Sequence, residues 1–132
     1  MTLHLPTAEN DGVGGTRLST RTIEQHLAVV EPGVPPLLTT QPISTQSVLF
    51  VDVPEDISEV PPHPAGARQL VVVLSGVCEI ALANGDTCQL GPGQVILAAD
   101  TQGGHISRIL QHPCRIMFVV LSDEGVDHAV HV

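Results

Sequence analysis

One domain is what 132 residues allow, a size at which about two thirds of the unfolded surface is buried in a single core. Fourteen acidic residues stand against five basic ones, a net charge of −9 that repels phosphate backbones and anionic bilayers and argues against nucleic acid and membrane as partners. All five basic residues are Arg, so no side-chain Schiff base can form, and with neither Tyr nor Trp the acid–base roles fall to His, Asp, Glu and Cys.

The chain opens with MTLHLPTAENDGVGG, which lacks the basic start and apolar block of a secretory signal, and no later run approaches the ~20 apolar residues that span a bilayer. A cytoplasmic location is the expectation. Residues 1–20 mix Gly, Thr, Asn and Asp without periodicity and read as a flexible N-terminus. Thr22 to Val30 suits a short strand or a short helix equally. Glu31 to Pro42 is proline-rich and extended, expected to run along the outside of the domain. Ser47 to Val53 is a clear strand. Pro54 to Pro62 is an acidic loop with three prolines that delivers the chain to His63.

From His63 to His105 the chain carries its densest signals. Gln69 to Leu74 is aliphatic and stops at Ser75-Gly76, so it reads as a buried strand ending in a turn. Val77 to Ala83 runs into Asn84-Gly85, the dipeptide suited to a two-residue hairpin turn, and Asp86 to Leu90 returns. That turn would place Cys88 opposite Ala81 and Cys78 opposite Gly91, unbridged; Cys78, Cys88 and Cys114 then read as small packing residues. Gly91-Pro92-Gly93 breaks the chain, Gln94 to Ala98 is a strand ending near Asp100, and His105 opens another through Leu110. Side chains alternate faces, so His105, Ser107 and Ile109 share one face, as do Gln69, Val71 and Val73. If both faces point inward, His63, Gln69 and His105 converge on one pocket. His112-Pro113 reads as a turn, Arg115 to Leu121 as the last strand, and 123–132 as an acidic tail carrying His128 and His131.

With HPAGARQ at His63 to Gln69, Gly76, Pro92-Gly93 and DTQGGH at Asp100 to His105, the stretch resembles the cupin superfamily. That family's first motif is His-x-His-x-x-x-Glu leading to a Gly turn, and its second a Pro-Gly turn followed about a dozen residues later by another His. The likeness covers residues 44 to 121 and is greatest to small cupins with an HPAPRRQ-like first motif and a DTTGKGH-like second one. It implies an all-β chain built as a single cupin barrel, a double-stranded β-helix of jelly-roll type, over residues 21–122 with an extended N-terminal segment. It also implies a homodimer paired through sheet edges. Where the family holds a metal on three His and one Glu, this chain has His63, Ala65, Gln69 and His105, so the ligand set shrinks to His63, Gln69 and His105.

Three functional readings follow. In the first, no cofactor is needed: His63 and His105, each titrating near neutrality when unperturbed, transfer protons on a small, partly apolar molecule in an isomerisation, cyclisation or dehydration, a tailoring step of biosynthesis or degradation. Gln69, a lone amide that needs partners when buried, orients a substrate carbonyl, and Asp100 holds the imidazole of His105 in one tautomer. Arg68, Val71, Val73, Ser107 and Ile109 form the substrate-binding set. In the second, His63, Gln69 and His105 carry a divalent Fe, Mn, Zn or Ni for dioxygenase or isomerase chemistry; two imidazoles and a neutral amide leave its charge uncompensated. In the third, the pocket only binds a small ligand. His4, His26, His112, His128 and His131 read as surface residues, with His26 the one that an N-terminal strand could bring over the pocket mouth.

Overall fold

A computed structural model describes residues 1–122; the acidic tail expected at 123–132, with His128 and His131, lies outside them. The described chain is all-β, with no helix. Its strands are β1 (Thr2–Asn10), β2 (Thr16–Glu24), β3 (His26–Ala28), β4 (Leu37–Thr39), β5 (Thr45–Val53), β6 (Glu59–His63), β7 (Gln69–Ala81), β8 (Thr87–Leu90), β9 (Val95–Ala99) and β10 (His105–Leu121). Eight of them form one sheet in the order β2-β1-β9-β7-β10-β5, with β6 added on β10 and β8 on β7, while β3 and β4 make a separate two-stranded arm.

The long strands β7 and β10 are its spine. Sequence patterning divides each in two, at Ser75-Gly76 and at His112-Pro113, whereas both run through as single bent strands. Their register slips from Val73↔Ile116 through Ser75↔Arg115 and Val77↔Gln111 to Cys78↔Ile109. Gly76 permits this: its φ is +78°, and a Cβ there would lie 2.5 Å from the Gln111 carbonyl oxygen and 2.6 Å from that of Pro113. The bulge shifts alternation by one residue on both strands. The inner face of β7 therefore runs Gln69, Val71, Val73 and then Cys78, Ile80, and that of β10 runs His105, Ser107, Ile109 and then Cys114, Ile116. The apolar residues among these join Ile96 and Ala98 of β9 in the main core, so the two halves of the bent sheet enclose one interior. The pairings among the described residues wrap the sheet around this interior without a ladder that closes it into a full barrel.

The first twenty residues are not the flexible segment expected from their composition. β1 pairs in parallel with β9 through Thr7↔Leu97, Ala8↔Ala98 and Glu9↔Ala99, and β2 pairs antiparallel with β1 along its whole length. Leu5, Thr7 and Ala8 are buried. The physical reason is non-local: β9 needs cover on both faces and a partner at its edge. Ile96 and Ala98 face the main core, while Leu97 and Ala99 pack with Leu5, Ile23 and Leu121 in a second cluster. Between β1 and β2, Asp11 Oδ1 accepts from the amides of Val13 (2.8 Å) and Gly15 (2.9 Å), a side-chain-closed turn.

The β7–β8 hairpin also differs from expectation. Ile80 faces Cys88 and Cys78 faces Leu90, one residue away from the two-residue reading. Only Gly85 takes positive φ (+94°), Leu82 N–H bonds to Asp86 O at 2.9 Å, and the loop is the three-residue kind that ends in a left-handed glycine. All three cysteines are free thiols. The segment read as extended, Glu31 to Pro42, contains β4, which with β3 leaves Leu27, Leu37 and Leu38 exposed. β5 ends the sheet and exposes Val48, Leu49 and Phe50.

The two glycines separate backbone strain from collision. Gly85→Ala, with open space around its Cβ, should cost about 1 kcal/mol for the left-handed conformation alone. Gly76→Ala should cost at least about 3 kcal/mol, because overlap with two carbonyl oxygens adds to the same penalty. Urea denaturation measures both, and equal losses would contradict the bulge as described.

Candidate functional site

The site forms where β6 ends and β10 begins. His63 and His105 are directly opposite in the antiparallel pairing of these strands, and their ring centroids lie 5.9 Å apart with planes tilted by 44°. Gly104 allows the approach, since a Cβ there would stand 3.2 Å from the His63 carbonyl carbon. Gln69 joins them by register. It faces Ala98 on β9, two residues before Asp100, and the Asp100 carbonyl accepts from Ala65 N–H at 3.1 Å.

His63, Gln69, His105 and Ser107 are the polar lining of a cavity of about 220 Å³, whose remaining wall is chiefly Val51, Val53, Val71, Ile80, Ile109 and Ile116. Two residues expected in the substrate-binding set stand elsewhere. Val73 is fully buried in the core and does not reach the cavity, although β7 contributes to the wall on either side of it through Val71 and Cys78. Arg68 immediately precedes β7; its carbonyl accepts from Leu121 N–H at 3.0 Å, and it is not part of the cavity lining. His26 is exposed on the β3–β4 arm, away from the cavity. His112 lies inside β10 rather than in a turn, and its Nε2 is 2.9 Å from the Ile57 carbonyl and 3.2 Å from that of Pro54, holding the loop that leads into β6.

Asp100 stands behind His105. It is wholly buried, and its Oδ2 lies 2.5 Å from His105 Nδ1. A carboxylate oxygen in that position accepts, so the proton of the neutral ring sits on Nδ1 and the lone pair is on Nε2, the nitrogen left for the cavity. His63 has its Nδ1 within 2.9 Å of the Pro61 carbonyl, which orients its ring in the same sense, with Nε2 free of that contact. His105 is 9% exposed whereas His63 is an exposed residue, so one imidazole is sunk in the wall and the other stands at the mouth.

Sequence reasoning missed the residues that hold this pair. Thr16, at the start of β2, donates to Asp100 Oδ2 (3.3 Å) and accepts from Gly104 N–H (2.8 Å). Asn10, at the end of β1, accepts through Oδ1 from the amides of Gln102 (2.8 Å) and Gly103 (3.1 Å) and donates through Nδ2 to Thr101 Oγ1 (3.1 Å). Gly103 is required because a Cβ there would collide with Thr16 Oγ1 and the Gly15 carbonyl. The loop that carries Asp100 to His105 is thus clamped by the N-terminal hairpin. One local signal was present: Asp-Gly and Gly-Gly between two Thr-rich, alternating runs is a hairpin pattern.

Cys78 also lines the cavity, and burial, with the neighbouring Cys114 and Cys88 thiols, pushes its pKa up to about 11.

No known family model matches the chain, and no curated protein matches it. Among solved structures it is similar to the cupin domain of Cnp3 from Schizosaccharomyces pombe, at 14% identity over 99% of this chain and 92% of that one, with a TM-score of 0.40. It is also similar to a conserved protein of unknown function from Streptococcus pyogenes, at 19% identity over 60% of this chain and 77% of that one, TM-score 0.40. His63, Gln69 and His105, which carry the motif resemblance, line one cavity of the all-β sheet.

The raised Cys78 pKa has a signed consequence. Burial favours the neutral thiol, so its contribution to stability is complete below the ordinary value of 9.0 and is lost as the pH rises through about 11. Stability against urea should fall over that window less steeply in Cys78→Ala than in the wild type. At pH 8 disulfide exchange with an aromatic disulfide reagent should leave Cys78 unmodified until the protein unfolds; rapid modification of Cys78 in the native state would contradict the burial.

Proposed function

We propose that this chain is a small-molecule enzyme in which His105, oriented by Asp100, transfers a proton within an apolar cavity, with His63 as the second acid–base group. The observation that supports this reading most is the buried Asp100–His105 pair, because a carboxylate fixed behind one ring nitrogen makes the other a positioned base. His105 Nε2 removes a proton from a carbon activated by a neighbouring carbonyl; the C–H electron pair moves into the enolate, and the proton, held as imidazolium on His105 or passed to His63, is returned at another atom so that both rings end neutral. Return of the proton to the γ-carbon of an enone gives isomerisation, and its delivery to a β-hydroxyl that leaves as water gives dehydration; in ring closure the base takes the proton of an internal hydroxyl instead, its oxygen bonds to the β-carbon of a conjugated carbonyl, and the proton is returned to the α-carbon. Gln69 orients the carbonyl from the same end of the cavity.

The metal-dependent alternative fits these residues poorly. Ala65, buried, stands where the resemblance calls for a His, and Gln69 where it calls for a carboxylate. Among the described residues no three His, Cys, Asp or Glu side chains group closely enough to hold an ion. Two imidazoles and an amide leave a divalent charge without a ligating anion. Protein purified without a His tag and incubated with iron, manganese, zinc or nickel should retain well under one ion per chain. Near-stoichiometric metal, lost in both His63→Ala and His105→Ala, would establish the metal reading instead.

The acid–base reading is tested by proton exchange in D2O. Wild-type protein should accelerate deuterium incorporation beside the carbonyl of small cyclic ketones, followed by proton NMR. His105→Ala should lower that rate by about 10²–10⁴-fold, the usual worth of a positioned acid–base group. Exchange no faster than in buffer, with ketone still bound, would leave a ligand-binding cupin without catalysis.

A further inference from the structure

The cavity that holds the His pair also describes what it accepts. No Lys, Arg, Asp or Glu side chain lines it among the described residues; the one carboxylate close by, Asp100, is screened from the cavity by His105. The lining is then two imidazoles, one amide, one hydroxyl and one neutral thiol set in a wall of Val, Ile, Ala and Phe.

The polar groups are not scattered. His63 and His105 are cross-strand partners, Ser107 is the next inward residue after His105 on β10, and Gln69 stands at the end of β7 nearest Asp100. From this cluster the wall runs apolar through Val71, Ile80, Ile109 and Ile116. A ligand that satisfies both parts has its oxygen at one end and hydrocarbon over the rest. Size sets a further bound: an apolar cavity of about 150 Å³ holds benzene, so about 220 Å³ holds a molecule of roughly nine non-hydrogen atoms.

We infer that the ligand of this site is an uncharged compound of roughly nine or ten non-hydrogen atoms, a single carbonyl or hydroxyl on an apolar ring or short chain, and that acids, phosphates and amines of the same size are rejected. The inference rests on the catalytic reading only in taking this cavity as the substrate site. The reason for rejection is desolvation: a carboxylate or ammonium entering this wall loses its water and finds no fixed opposite charge among the lining side chains. A carbonyl loses much less and finds the Gln69 amide, the Ser107 hydroxyl or an imidazole as donor. Polar recognition at one end also discriminates against plain hydrocarbon, because the amide of Gln69 would be left unpaired.

Equilibrium binding by ligand-observed NMR and calorimetry tests this without turnover. The probes are 3,5,5-trimethylcyclohex-2-enone, the 4-methylbenzoate anion, 4-methylbenzylammonium and a fused tetracyclic ketone. The monocyclic ketone should bind at least about tenfold more tightly than the anion or the cation, a difference of about 1.4 kcal/mol, and the tetracyclic ketone should not bind. Gln69→Leu should weaken the monocyclic ketone several-fold while leaving a hydrocarbon of the same size unchanged. Anion or cation binding equal to or tighter than the ketone overturns the inference, as does tight binding of the tetracyclic compound or no binding of the monocyclic one. Ketone binding with no proton exchange removes the catalytic reading and supports this one, so the two fail separately.

Discussion

The hydrogen bond between Asp100 Oδ2 and His105 Nδ1 is the constraint around which the rest of the molecule is arranged. An imidazole can present either nitrogen, and a buried carboxyl is costly unless partnered, so each group removes the other's freedom. The carboxyl sits at the end of β9 and the ring at the start of β10, joined by a five-residue step whose geometry must be held from outside. That hold comes from the far end of the chain. Asn10 and Thr16 contribute hydrogen bonds to the amides of 102 to 104 and to Asp100 itself, and Gly103 is the residue that lets Thr16 come so close.

The sheet supplies the second requirement, an apolar wall in front of the ring. Without an odd residue in β7 and a matching slip in β10, an inward face of Gln69, Val71 and Val73 would continue through Ser75, Val77 and Glu79, placing Glu79 inside. The bulge at Gly76 instead turns Cys78 and Ile80 inward and leaves Glu79 outside, where it accepts from Arg108 Nη1 at 3.2 Å. Arg108 also donates to Glu59 at 3.1 Å, so the charged groups of β6, β7 and β10 gather on the outer face. Gly76 therefore decides the polarity of the cavity as well as the course of the strand.

Much of this was legible in the residues. Period-two alternation placed His105, Ser107 and Ile109 on one face and Gln69 with Val71 on another, and the structure lines one cavity with all five. The motifs that resemble those of cupins pointed to an all-β chain. Three features were not legible, each for a non-local reason. The N-terminal hairpin was obscured because its polar, glycine-containing composition resembles a loose segment, and only β9, far along the chain, gives it a surface to cover. The continuity of β7 and β10 was hidden because a glycine that ends a strand and one that bulges it look the same without the partner strand. The hairpin register at Asn84-Gly85 depended on which residue took positive φ, and Gly85 alone does so. Val73 fell outside the cavity because alternation predicts the face of a strand and not whether an inward side chain is packed into the core or left at the cavity surface.

The central claim is that Asp100 fixes His105 as the Nδ1-protonated ring with its Nε2 lone pair offered to the cavity. Long-range nitrogen–proton correlation spectra of the histidine side chains read the tautomer directly. The account predicts that the neutral form of His105 is the Nδ1–H tautomer in the wild type and that Asp100→Ala, folded by circular dichroism, gives up that preference. An Nε2–H tautomer in the wild type, or a ring whose two nitrogens average and which is unchanged by Asp100→Ala, would contradict it.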